Sequence, residues 1–199
     1  MKPTTQQAKD TWKDDSMKLV TGNRFDAVVD QIKAASSYKE VDAVLAPFRP
    51  GPENVSVVGE YRLEFGTLTN LQREYDGLMR VQPLNLSSAP RVVELLKKDE
   101  WYGVLITKLD GVRDAELRNE AFGAGTPLTT DEVRAALRSD VAKLRSAGMW
   151  NHAFERGGCW YLNPETKRVV ISPWFPVAAT DPKTLDEGCE QVLRMIDHA

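Results

Sequence analysis

VSVVGEYRLEFGTLTNLQREYDGLMRVQ, residues 55–82, carries two periodicities in one short stretch. The first part is rich in Val and Tyr and is broken in the middle by Gly59-Glu60, which predicts two strands joined as a hairpin. Leu71, Tyr75 and Leu78 then fall at i, i+4 and i+7, an apolar stripe of helical spacing, with Thr67 or Thr69 placed to cap the helix. APRVVELLKKDEWYGVLITKLDG (89–111) follows and reads as two further strands around the turn KKDE. The expectation is therefore a sheet with one helix inserted after its second strand.

Upstream, residues 1 to 22 are polar and aperiodic. Phe25, Val28, Val29 and Ile32 make a short amphipathic stripe, and Ser37 with Glu40 forms a capping box opening a second short helix through Val41 and Val44. That helix ends before the Pro/Gly-rich turn PFRPGPENV (47–55). Downstream, residues 111–128 read as a long connection. Thr129 and Glu132 form another capping box, and Val133, Leu137, Val141 and Leu144 define the buried side of a long helix ending at Gly148. GMWNHAFERGGCWYLNPETKRVVISPW (148–174) comes next, with strands near CWYL and RVVIS around the turn NPET. Asp181-Pro182 starts a last helix whose inner face is Leu185, Cys189, Val192 and Ile196. A sheet-rich half before a helical half predicts an α+β protein with two lobes.

Composition narrows the function classes. The 199 residues are 42% hydrophobic and 28% charged, ordinary for a soluble globular protein. A net charge of −3 gives no basis for phosphate-backbone binding, so no nucleic acid partner is expected. No segment approaches the roughly 20 apolar residues of a membrane span, and the first residues lack the apolar core of a secretory signal. The two cysteines, Cys159 and Cys189, suit a reducing compartment, and the cytoplasm is the expected location. Two His and two Cys without close ligand spacing give no zinc signature, and no metal site or cofactor is expected.

The ordered segments resemble the protein-kinase-like fold, in particular the small kinases related to aminoglycoside phosphotransferases. RPGPENVSVV (49–58) stands at the phosphate-covering loop and second strand, and YRLEFG (61–66) is similar to the third strand, usually written with a Lys. NLQREYDGL (70–78) is similar to the helix carrying the Glu partner of that Lys, a position taken by Glu74. WYGVLITKLDG (101–111) resembles the fifth strand and hinge, and DEVRAALRSDVAKLRSAGMW (131–150) the helix leading into the catalytic loop. HAFERGGCWYL (152–162) stands where the family has H-G-D-x-x-P-x-N, and RVVISPW (168–174) where a strand ends in a metal-binding Asp.

The chain is expected to fall into three parts: an arm with short helices over 1–44 that lies outside the resemblance, a sheet-bearing lobe with one helix over 45–108, and a minimal helical lobe over 109–199. The resemblance also implies that the chemistry is gone. Glu64 stands at the Lys position, Phe154 at the catalytic Asp, Cys159 at the metal-binding Asn and Pro173 at the second metal-binding Asp, while Glu74 and His152 are retained. Phe154 accepts no proton, Cys159 suits the hard Mg²⁺ ion poorly, and Pro173 offers no side-chain oxygen. Glu64 places negative charge beside phosphates and faces Glu74, a contact that Arg62 or Arg73 would offset. Phosphoryl transfer rests on these positions. ATP is expected to bind weakly or not at all, its only remaining contacts being backbone near Thr107–Asp110.

His152 reads best as a brace for its loop, Glu155 as a solvated side chain and Cys159, near Arg156, as an ordinary thiol. Trp160, Trp174 and Phe175 cluster around the emptied site with Phe154 and Tyr161. They either fill the cleft or anchor a protein partner. The expected function is that of a pseudokinase, a non-catalytic protein-binding or regulatory module. The competing expectation is a divergent phosphotransferase or nucleotidyl transferase with a relocated site built on His152, Glu155 or Asp181.

Overall fold

A computed structural model of the chain describes residues 24–49, 54–109, 117–118, 131–151, 159–162, 169–172, 176–178 and 181–198. The elements run α1 (Arg24–Ala34), α2 (Tyr38–Leu45), a 3-10 turn (Ala46–Phe48), β1 (Val55–Val58), β2 (Tyr61–Thr67) and α3 (Leu68–Val81). A second 3-10 turn (Gln82–Leu84), β3 (Arg91–Lys97), β4 (Tyr102–Lys108) and β5 (Leu117–Arg118) follow. Then come α4 (Asp131–Ser146), β6 (Met149–Asn151), β7 (Cys159–Leu162), β8 (Val169–Ser172), β9 (Pro176–Ala178) and α5 (Pro182–His198). The chain is mixed α and β, with five helices among the described residues and a small four-stranded antiparallel sheet, compatible with the α+β class.

Strand order in that sheet is β1-β2-β4-β3, with α3 connecting β2 to β3. The β1–β2 hairpin closes over Gly59-Glu60, since Val58 pairs with Tyr61. Gly59 adopts φ +61°, and Glu60 is not left-handed. Glycine at the first central position of a two-residue loop suits a primed turn, whose twist matches the strands. Alternation along β2 sends Leu63 and Phe65 to one face and Arg62 and Glu64 to the other.

The Leu63 face is covered by the N-terminal helices. Val28, Val29 and Ile32 from α1, with Val41 and Leu45 from α2, join Val58, Leu63, Phe65, Leu96, Val104 and Ile106 in one core. Each such side chain contributes about 1.5–3 kcal/mol relative to exposure. The α1–α2 pair is thus integral to the sheet. The Ser37 cap forms as read: Ser37 Oγ accepts from Glu40 N–H at 3.3 Å, while Glu40 Oε2 reaches back to Ser36 N–H at 2.6 Å.

The opposite face is covered by α3. Here the predicted stripe is shifted: Leu71 and Leu78 are buried, Tyr75 is only half-buried, and Glu74 takes a buried place between them. Beneath α3, Gly66 on β2 and Gly103 on β4 lie directly opposite each other. A Cβ at Gly66 would lie 3.8 Å from Leu71, and one at Gly103 would lie 3.6 Å from Leu68.

The far end of α3 belongs to a second core. Leu78 and Val81 pack with Leu86, with Val133, Leu137, Val141 and Leu144 of α4, and with Met149 and Cys189. The α4 stripe is the one read from spacing, and α4 ends before Gly148 at φ +69°. Pro182 opens α5 as expected. Two features of 109–199 depart from a purely helical reading. Leu117–Arg118, inside the expected connection, pairs with β7 and makes the β7–β8 hairpin a three-stranded sheet. Met149–Asn151 pairs with Pro176–Ala178 as a separate two-stranded ribbon.

Candidate functional site

Antiparallel register places Arg62 opposite Thr107 and Glu64 opposite Leu105, all beneath α3. Arg62 is buried, and its guanidinium is shared between two carboxyls. Nη1 donates to Glu74 Oε1 at 3.3 Å, and Nη2 donates to Glu64 Oε2. Glu74 retains 1% of its side-chain exposure and Glu64 25%, so the cluster opens to solvent on the Glu64 side. Of the two residues expected to offset a like-charge contact between Glu64 and Glu74, Arg62 is the one that reaches both carboxyls. Arg73, the other candidate, is exposed.

Burial pushes the Glu64 carboxyl up. The charge of Arg62 and hydrogen bonds from Glu74 and Arg62 outweigh it, so the group is held below the usual carboxylate value. The Thr107 hydroxyl, fully buried on the same face, has no hydrogen-bond partner among the described residues. Further along β4, Lys108 pairs with Glu60 at 3.4 Å and Leu109 N–H donates to Glu60 C=O at 2.7 Å. A backbone donor in the stretch expected to serve as a hinge is thereby committed to the β1–β2 turn.

The other expected site residues distribute unevenly. Cys159 and Trp160 lie on β7, in register with Ser172 and Ile171 of β8. His152, Phe154, Glu155, Arg156, Pro173, Trp174, Phe175 and Asp110 lie outside the described residues. Asp181 is an exposed residue immediately before α5. Among the described residues the most exposed large apolar side chain is Trp101, at 75%, on the β3–β4 turn. Asp99 Oδ1 shapes that turn by accepting from the N–H groups of Trp101 and Tyr102 at 2.6 and 3.0 Å. No group of three or more His, Cys, Asp or Glu among the described residues is placed to hold a metal ion. No helix among them is long and apolar enough to cross a membrane.

One buried polar cluster escaped the sequence reading. Asp140 on α4 is 1% exposed and receives four hydrogen bonds from the segment between α3 and β3. Oδ1 accepts from Ser87 N–H at 3.0 Å, and Oδ2 accepts from Ser88 N–H at 2.8 Å. The Ser87 and Ser88 hydroxyls also donate to Oδ2, at 2.9 and 2.6 Å. Lys143 Nζ lies 4.0 Å from Oδ1 and donates to Asn85 C=O at 2.9 Å. Asp140 is the one charged residue among the buried positions of α4, a signal visible in the sequence. Its partners lie more than fifty residues away and gave no signal.

No family model, curated protein or solved structure matches the chain.

Proposed function

We propose that this chain is a catalytically inactive kinase-like protein, a pseudokinase that acts as a protein-binding or regulatory module in the cytoplasm. The observation that carries the reading is the Arg62 cluster. At the strand–helix position where the resemblance calls for a phosphate-binding Lys paired with a Glu, the retained Glu74 is paired instead with Arg62. Arg62 is buried and also engaged by Glu64, the residue at the Lys position. The partly exposed group there is a carboxylate held ionised, which repels a phosphate. The order of the parts is in keeping with the resemblance: a hairpin, one helix, then two strands completing an antiparallel sheet. The commitment of Leu109 N–H to Glu60 adds to the case against an adenine contact at that point.

The discriminating experiment is a thermal-shift series with ATP and ADP, with and without Mg²⁺ or Mn²⁺. Binding to the native state at 100 times Kd adds about 2.7 kcal/mol of stability. The proposal expects no shift, and a clear metal-dependent rise in Tm overturns it in favour of a divergent transferase. For the binding role, affinity purification with the intact chain is compared with Trp160→Ala and Trp174→Ala. A specific partner lost from these variants supports the aromatic surface, and a partner retained by both moves the surface elsewhere.

A further inference from the structure

We draw no further inference here: the strongest candidate, the exposed Trp101 indole on the β3–β4 turn, whose backbone is held by the Asp99 carboxylate on one side and by Leu68 N–H on the other, carries nothing because Lys97 and Lys98 offset the Asp99 and Glu100 charges beside it and nothing in the structure shows what covers it.

Discussion

Replacing Asp140 by Asn removes one charge and exchanges a single heavy atom, yet it strikes four hydrogen bonds at once. Both carboxylate oxygens accept backbone N–H groups, from Ser87 at 3.0 Å and Ser88 at 2.8 Å. An Asn can satisfy only one of these, and its NH₂ then points at the other donor. Retaining the better-connected oxygen preserves three bonds, to Ser88 N–H and the two hydroxyls, but as neutral pairs. A hydrogen bond to a charged group contributes about 1.5–3 kcal/mol against about 1 for a neutral one, and a buried donor left unmade costs about 1–3. These terms are not additive across one network, which brings the expected loss to about 2–4 kcal/mol. With a urea m-value near the upper end of 1–3 kcal/mol per M, the midpoint falls by about 1 M. Amide hydrogen exchange supplies the local readout: the Ser87 and Ser88 amides are protected in the wild type and exchange faster in the variant. A loss under about 0.5 kcal/mol with both amides still protected would refute the reasoning, because that is the response of a surface site.

Three further substitutions test close packing. Gly103→Ala puts a Cβ 2.5 Å from the Leu96 carbonyl oxygen, which is backbone and cannot turn aside, so we expect a loss of about 2–3 kcal/mol by urea unfolding. Gly66→Ala, directly opposite, meets only Leu71 at 3.8 Å and is expected to be neutral or slightly stabilising; equal losses at the two sites would sink the distinction. Gly188→Ala in α5 gains up to about 1 kcal/mol of helix propensity but places its Cβ 2.6 Å from the Trp150 ring. Overpacking outweighs propensity here, giving a net loss of about 1–2 kcal/mol and a shift in Trp fluorescence. A stabilised Gly188→Ala protein would show that the indole does not lie against α5.

What the sequence discloses depends on how local the determining interaction is. The α1 residues Val28, Val29 and Ile32 and the four α4 residues from Val133 to Leu144 were legible because each helix buries one side only. Ser37 was legible because its partner, Glu40, is three residues away. Glu74 was placed against the strand by resemblance, and Arg62 was one of two candidates for its partner, the choice between Arg62 and Arg73 staying open. Which guanidinium reaches between the two carboxyls depends on how α3 is rotated over β2. Ser87 and Ser88 belong to a connecting segment, and only the fold carries it to Asp140. The strands at 117–118, 149–151 and 176–178 are too short for alternation to register.

These non-local polar contacts share one function in the architecture. Apolar burial scales with area and is nearly indifferent to a small rotation or slide of α3 over the sheet. Hydrogen bonds to charged groups are directional, and two sets of them flank α3: Arg62 with Glu74 toward the sheet, Asp140 with Ser87 and Ser88 just beyond its end. The first fixes the rotation of the helix and the second fixes where the chain leaves it. This assignment also bears on chemistry. A cation that serves substrate must keep donors facing solvent, and Arg62 instead gives a nitrogen to each of two carboxyls under α3. Converting it to a ligand-binding group would require breaking a buried ion pair, at about 3–5 kcal/mol. The same residue thus holds the helix in place, which is why the structural role of Arg62 and the proposed lack of phosphoryl transfer stand or fall together.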